Sequence, residues 1–208
     1  MHVFLYEWVT GGGLVDEHGR LPRSLLAEGS AMITALAADF LGVDGARVSL
    51  LRDMRLDHLA FPGCDVVDVY SSSHWADEFE RLAGQADHTL VIAPEFDGIL
   101  QQAVQRAARA GGRSLNAADE FIQLAADKHA TAERLRSAGV AAPHGRVLEA
   151  DVDKLPTDFE YPAVLKPLDG AGSQHLLLVG GPRDEPPPYP WRRRLERRHA
   201  GRAASASV

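Results

Sequence analysis

Residues 161–173 read Tyr-Pro-Ala-Val-Leu-Lys-Pro-Leu-Asp-Gly-Ala-Gly-Ser, and a second apolar run follows at residues 175–179. Two short apolar runs separated by a glycine-rich turn are typical of two strands joined by a loop. Gly170 and Gly172 lack a Cβ, so the backbone of this loop can turn its N–H groups inward and approach an anion closely. The stretch therefore predicts a β-hairpin whose loop is suited to phosphate.

Two side chains of the hairpin are also suited to phosphate. Ser173 adds a hydroxyl donor, and Lys166 places a positive charge near the end of the first strand. Lys166 is flanked by Leu165 and Pro167, and a cation within an apolar strand usually has a partner. The alternative is a surface hairpin with a solvated lysine. The stretch is not a P-loop, because no Gly-x-x-x-x-Gly-Lys-Ser/Thr string occurs in the chain.

Two further features precede the hairpin. Lys128 opens a predicted helix at residues 128–137, and residues 135–143 read Leu-Arg-Ser-Ala-Gly-Val-Ala-Ala-Pro, the end of that helix. A lysine at a helix start, Gly-Val-Ala-Ala-Pro, and then Val-Leu-Lys-Pro with its glycine loop, in this order, resemble the ATP-grasp superfamily of carboxylate–amine ligases. The similarity is greatest to the branch that contains tyramine–glutamate ligases.

The resemblance implies a set of nucleotide contacts in this chain. Lys128 and Lys166 would contact the phosphates of ATP, and Glu196 would begin a hinge strand that lies along the adenine. The loop that would close over the phosphates consists of Asp169, Gly170, Ala171, Gly172 and Ser173. The resemblance also implies Mg2+ between the phosphates, with its ligands beyond this chain, so no residue is assigned to a metal here.

The activity implied by the resemblance is an ATP-dependent ligation. A small-molecule carboxylate would be joined to an amine through an acyl phosphate, and homodimers are common in this superfamily. The chain is expected to stop within the ATP-grasp domain, before the part that carries the metal ligands. The alternative is a non-catalytic nucleotide- or metabolite-binding module, for which the missing metal ligands are the discriminating feature.

The first part of the chain alternates apolar strands with amphipathic helices, which predicts an open parallel sheet covered on both faces. The predicted strands are residues 3–6, 47–51, 66–70 and 88–93, and the predicted helices are residues 25–41, 75–84 and 99–107. We therefore expect an α/β fold with an N-terminal pre-ATP-grasp domain at residues 1–114. Residues 115–208 would form a partial ATP-grasp domain, with a helical connector and a small α+β lid.

Helix boundaries in this scheme rest on capping residues. Ser24 is the predicted N-cap of the first helix and Gly42 its stop. Asn116 is the predicted N-cap of the connector, residues 116–128, whose apolar face includes Phe121 and Ile122.

Two loops lie where ligands bind in open α/β sheets, beyond the carboxyl ends of strands. Gly11, Gly12 and Gly13 follow the first strand, and they are either an anion-binding turn or a tight or mobile loop. Glu95 follows the fourth strand and either binds a substrate amine or caps the next helix. Resemblance to the ligases, in which a Pro-Glu pair recurs at this place, favours a substrate role for Glu95.

Composition excludes several classes of protein. The net charge of −7 argues against a nucleic-acid surface over the whole chain. Residues 183–208 hold seven arginines, so an RNA-binding tail is a third alternative, although aromatic residues there are few. The single cysteine, Cys64, indicates a reducing compartment, and neither a signal peptide nor an apolar run of about 20 residues occurs. We expect a cytoplasmic protein without nucleic-acid or membrane partners.

Other enzyme chemistries lack their signatures. The nine histidines show no His-Glu-x-x-His spacing, and no Gly-x-Ser-x-Gly string occurs. No motif surrounds Cys64, so we interpret it as a small buried residue rather than a nucleophile.

Overall fold

The computed structural model describes residues 1–17, 19–150, 152, 154–170 and 175–198. The chain forms two compact units, Met1–Ile122 and Gln123–Val208, which we call unit 1 and unit 2. Sequence patterns place the boundary after Ser114, whereas the structure places it after Ile122. The reason is that Ile122 packs in the core of unit 1, and Asp119 accepts hydrogen bonds from Gln101 and Gln105 at 3.0 and 2.8 Å.

Unit 1 is built on a parallel sheet, as predicted. Its strands are β1 (His2–Glu7), β2 (Arg47–Asp53), β3 (Asp65–Val69) and β4 (His88–Ile92), in the order β3-β2-β1-β4. The helices of this part are α1 (Arg23–Leu41), α2 (Ser72–Gln85), α3 (Ile99–Arg109) and α4 (Asp119–Ala126). All three strand pairings are parallel, so the carboxyl ends of the strands meet at one edge.

Both faces of this sheet are covered, because successive residues of a buried strand point to opposite sides. Phe4 and Tyr6 of β1 belong to one core cluster, with Phe79 of α2 and Val104 of α3. The second cluster uses the alternate residues of the strands and the inner side of α1; it contains Val3, Leu5, Val48, Leu50, Ile33 and Ala37. The predicted α/β class is confirmed.

α1 is the one helix, among the described residues, that is long and apolar enough to cross a membrane by length and composition. Ile33 and Ala37 pack in the core of unit 1, and Glu28 and Asp39 lie on its exposed side. These contacts are those of a helix that covers a sheet.

Both predicted N-caps are wrong. α1 begins at Arg23, directly after Pro22, whose φ of −60° already suits the start of a helix, so Ser24 lies inside the first turn. Asn116 lies outside α4 and bonds instead to the edge strand β4. Its Oδ1 accepts from the N–H of Val91 at 2.9 Å, and its Nδ2 donates to the Val91 carbonyl at 2.8 Å. The unpaired backbone of an edge strand thus competes successfully for this side chain.

The described residues of unit 2 form the end of α4, a further helix and an antiparallel sheet. The elements are α5 (Lys128–Ser137), β5 (Gly145–Leu148), β6 (Ala163–Pro167), β7 (Leu177–Val179) and β8 (Arg193–Arg197), with strand order β5-β8-β6-β7. The predicted hairpin is confirmed, because β6 pairs with β7 in the register Ala163 to Val179. Leu165 and Leu195 are fully buried on the apolar face, with Leu148, Leu155 and Phe159.

Two parts of unit 2 differ from the sequence interpretation. β5 was missed, since its four residues include only two apolar ones, Val147 and Leu148. Residues 193–197 belong to the arginine-rich segment for which an RNA-binding tail was the third alternative, and they form β8, which lies between β5 and β6 and pairs with both. Residues 199–208 of that segment lie outside the described residues.

Candidate functional site

Lys166 is paired, as expected for a cation within an apolar strand. Its Nζ lies 2.8 Å from Oε1 of Glu196, which joins β6 to β8. The side chains are 22% and 16% exposed. Burial would raise the pKa of Glu196, but the hydrogen bonds from Lys166 and Arg194 outweigh it and hold the pKa below its usual value. Lys166 is therefore part of a partly buried ion pair, and the solvated-lysine alternative is wrong.

Arg194 completes this charged face of the sheet. It lies directly across from Lys166 in the β6–β8 register and is fully buried. Its Nε donates to Oε2 of Glu196 at 2.9 Å, one terminal nitrogen lies 2.5 Å from Nδ1 of His129, and the other donates to the Pro143 carbonyl at 2.8 Å. All three edges of the guanidinium are thus engaged, which offsets the cost of burying its charge.

The position of the Arg194 guanidinium explains why residue 145 is a glycine. A Cβ on Gly145 would lie 2.5 Å from Cζ of Arg194, well inside van der Waals contact. A side chain at position 145 would therefore force the Arg194 guanidinium to move from its present hydrogen bonds. Arg194 and Gly145 together fix α5 and β5 around the charged face.

Lys128 lies against the glycine loop. Its Nζ donates to the carbonyls of Gly170 and Leu168 at 2.9 and 3.3 Å, and its backbone N–H donates to Leu168 at 3.0 Å. The helix start that carries Lys128 is fixed by Asp127, whose Oδ1 accepts from the N–H groups of His129 and Ala130. The structure thus brings Lys128 to the glycine loop that follows the strand of Lys166.

Only the first two residues of the predicted phosphate loop are described. Gly170 has φ +120°, a conformation that residues other than glycine rarely adopt, and Asp169 is half-buried beside it. Ala171, Gly172 and Ser173 lie outside the described residues.

The residues of this site fit a polyphosphate better than a metal ion. Lys128 holds its ammonium on neutral carbonyl oxygens, and Lys166 holds its ammonium on one carboxylate oxygen. Phosphate oxygens can replace either kind of acceptor and carry more charge. In the described parts of the chain, no three His, Cys, Asp or Glu side chains lie together as metal ligands. The described residues therefore fit the phosphates of ATP and do not by themselves fit magnesium.

The loop after β1 is organised around a buried carboxylate that sequence analysis missed. Glu7 is 4% exposed and accepts from the N–H of Val9 and from both the N–H and hydroxyl of Thr10 at 2.7–3.1 Å. Gly29 of α1 packs against it, since a Cβ there would lie 2.5 Å from the Glu7 carboxyl carbon. The available signal was an acidic residue at the end of an apolar strand, directly before Trp-Val-Thr-Gly-Gly-Gly.

The three glycines of this loop form a tight turn. The N–H groups of Gly11 and Gly13 donate to the carbonyls of Glu7 and Trp8 at 2.8 and 2.7 Å, so these two amides are already engaged. Gly12 has φ +92°, and a Cβ there would lie 2.4 Å from Cγ2 of Val69. Close packing accounts for the glycines, and Gly12 and Gly13 line a cavity of about 410 Å³.

Glu95 follows β4 and precedes a short 3-10 helix, Phe96–Gly98. Its side chain does not cap that helix, and α3 begins after Gly98 without a side-chain cap. The capping alternative for Glu95 is therefore wrong.

Comparisons with known proteins agree with this fold. Residues 46–122 match the pre ATP-grasp 3 domain. The tyramine–L-glutamate ligase of Methanocaldococcus jannaschii is 23% identical over 131 residues, which are 62% of this chain and 41% of that protein. The ligase of the same name from Methanocaldococcus fervens is 22% identical over 179 residues, 85% of this chain and 55% of that protein. The chain thus spans about half the length of the curated relatives it matches.

Solved structures show the same architecture. A crystal structure described as an ATP-grasp superfamily protein from Archaeoglobus fulgidus has a TM-score of 0.66 at 19% identity, over 97% of this chain and 54% of that one. The D-alanine–D-alanine ligase of Bacillus anthracis, in complex with ATP, has a TM-score of 0.58 at 14% identity, over 97% of this chain and 60% of that one. The resemblance is confirmed at the level of the fold: residues 46–122 match the model of a pre-ATP-grasp domain, and the chain has the fold of these ATP-grasp structures.

Proposed function

We propose that this chain is part of an ATP-dependent ligase that joins a carboxylate to an amine through an acyl phosphate, with the phosphates of ATP bound by unit 2. The observation that carries the proposal is the position of Lys128, whose ammonium lies on the glycine loop that directly follows the strand of Lys166. The names of the two curated relatives support the reaction class.

ATP, when bound, supplies the phosphoryl group that activates the carboxylate. Lys128 and Lys166 bring two positive charges to one end of the sheet and exchange their present oxygen acceptors for phosphate oxygens. Arg194 keeps Glu196 in place when Lys166 turns away, because it holds the other carboxylate oxygen. The loop from Asp169 to Ser173 closes over the phosphates and excludes water.

In this proposal, residues of unit 1 bind the substrates. Glu95, whose carboxylate caps neither nearby helix, binds the amine, and the turn of Gly11, Gly12 and Gly13 shapes the substrate side. Magnesium requires carboxylates beyond the described residues. We also propose a cytoplasmic location, in which Cys64 stays reduced, and a homodimer as the assembled form.

Calorimetric titration of the 208-residue chain with ATP, with and without magnesium, tests the nucleotide site. We expect saturable binding that weakens about ten- to hundredfold in Lys128→Met and in Lys166→Met, because each loses a charge-assisted hydrogen bond of about 1.5–3 kcal/mol. The chain has a third lysine, Lys154, which is exposed, and Lys154→Met should bind ATP as the parent does.

Equal affinity in all three variants would refute the site in unit 2, provided that circular dichroism shows each variant folded. The non-catalytic module is the second candidate, favoured by the lack of a metal-ligand cluster in the described residues. Phosphate release that requires both L-glutamate and tyramine, the compounds named for the relatives, would separate the ligase from that module.

A further inference from the structure

The cavity in unit 1 has a strongly aromatic wall. It has a volume of about 410 Å³, within the range of about 300–1,000 Å³ usual for small-molecule sites. Tyr6 and Trp8 of β1 and its following loop, and Trp75 of α2, line it. The rings are held in place by their neighbours: Tyr6 and Trp75 lie 6.0 Å apart between centroids, and Trp8 meets Phe96 edge to face. The wall is therefore rigid and apolar over much of its area.

Polar atoms on this wall lack partners. The Tyr6 hydroxyl, Nε1 of Trp75 and Nε of Arg106 are buried and make no hydrogen bond within the described residues. Burial raises the pKa of Tyr6 above its usual value, so its hydroxyl keeps its proton; the nearby Trp75 indole opposes this shift without reaching hydrogen-bond geometry. The indole and guanidinium groups can only donate, and a hydroxyl can donate. All three of these unpartnered atoms can therefore donate a hydrogen bond to a ligand.

Two of the four charged residues that line the cavity are arginines on α3. Arg106 and Arg109 lie three residues apart on α3, so they share one face of the helix. Arg106 has its Cζ 5.0 Å from the Trp75 ring centroid and pairs with Glu80 at 2.9 Å. Arg109 is exposed and has no ion pair with any described residue.

The two acidic residues on the wall already interact with neighbouring groups. Asp16 accepts from the N–H of Ser72 at the start of α2, at 3.0 Å. Glu17 lies near Arg55, which donates to its backbone carbonyl at 2.8 Å. Asp16 and Glu17 thus interact with groups outside α3, the helix that carries Arg106 and Arg109.

We propose that this cavity binds a small carboxylate with an aromatic or apolar body, the carboxylate facing Arg106 and Arg109 and the body lying against Trp8 and Trp75. A guanidinium binds a carboxylate through two parallel hydrogen bonds, and aromatic walls remove the body of the ligand from water. The site lies entirely within unit 1 and does not depend on nucleotide binding by unit 2.

The test is a titration of the full chain with three probes that separate charge from body: phenylacetate, phenethylamine and acetate. Calorimetry gives the affinity. Tryptophan fluorescence reports whether the probe binds in this cavity, since two of the three tryptophans line it. We expect saturable binding of phenylacetate, at least tenfold weaker binding of acetate, and none of phenethylamine. Arg106→Gln and Arg109→Gln should each weaken phenylacetate binding about tenfold.

Arg81→Gln is the matched control, because Arg81 lies on the exposed side of α2 and bonds to Glu78 and Gln85. It should bind phenylacetate as the parent does. If Arg106→Gln fails to fold, Arg109→Gln decides, since its side chain is exposed. The proposal is overturned if phenylacetate does not saturate, if phenethylamine binds equally well, or if the folded cavity variants bind with the affinity of Arg81→Gln.

Discussion

Replacing Phe79 with alanine should lower the free energy of unfolding of unit 1 by about 3–5 kcal/mol, the usual loss for a buried phenylalanine. Phe79 is fully buried at the centre of an aromatic cluster. Its ring meets Phe4 and Tyr6 edge to face, at centroid distances of 5.4 and 4.9 Å, and lies 5.4 Å from Trp75. Urea unfolding followed by circular dichroism measures the change.

Phe121→Ala is the control for this prediction. Sequence periodicity placed Phe121 on the apolar face of its helix, but the residue is 61% exposed, so its removal should cost less than about 0.5 kcal/mol. Equal losses for the two variants would mean that the aromatic cluster does not form as described. Because Tyr6 and Trp75 also line the cavity, Phe79→Ala should weaken phenylacetate binding as well.

Glu196→Gln should lower the free energy of unfolding of unit 2 by about 2–3 kcal/mol. Removing one partner of a fully buried ion pair costs about 3–5 kcal/mol. The expected cost is smaller here because the side chains of Lys166 and Glu196 retain some exposure. The fully buried Arg194 loses its carboxylate partner, and a neutral amide cannot replace both charged contacts. Glu160→Gln is the control, since Glu160 forms an exposed ion pair with Arg197, and it should cost less than about 1 kcal/mol.

The effect of Glu196→Gln depends on pH in a defined direction. Because the folded-state pKa of Glu196 is lowered, its stabilising contribution is present above the unfolded-state pKa and is lost as pH falls through the folded-state value. The difference in stability between parent and variant should therefore be largest near neutral pH and shrink in acid. A difference that grows on acidification would contradict the ion pair.

The parallel sheet of unit 1 was predictable because its strands are continuous apolar runs separated by helical periodicity. The residues at which the strands end were harder to predict. β2 extends beyond the predicted Leu51 to Asp53, since Arg52 bonds to Asp68 on β3 and the N–H of Asp53 donates to the Thr10 carbonyl at 2.6 Å. Polar residues extend the strand through tertiary contacts that no local pattern contains.

In unit 2, the sequence pattern indicated Lys128, Lys166 and the glycine loop. It did not indicate the contacts of Arg194 that position the charged face around Lys166. Arg194 lies in the arginine-rich segment for which RNA binding was an alternative, yet it is buried and bonds to residues far away in sequence, His129 and Pro143. The available signal was its spacing: Arg194 and Glu196 are two residues apart, so they lie on one face of a strand. Asn116 was misassigned for a related reason, because its partner is an edge strand rather than its own helix.

The most direct measurement is a crystal structure of the chain with a non-hydrolysable ATP analogue. We expect the phosphates within hydrogen-bonding distance of both Lys128 Nζ and Lys166 Nζ, with Lys166 turned from Glu196 and Glu196 still bonded to Arg194. An ordered nucleotide whose phosphates lie away from both lysines, with the present bonds of Lys166 to Glu196 and of Lys128 to Gly170 intact, would contradict the nucleotide site proposed for unit 2.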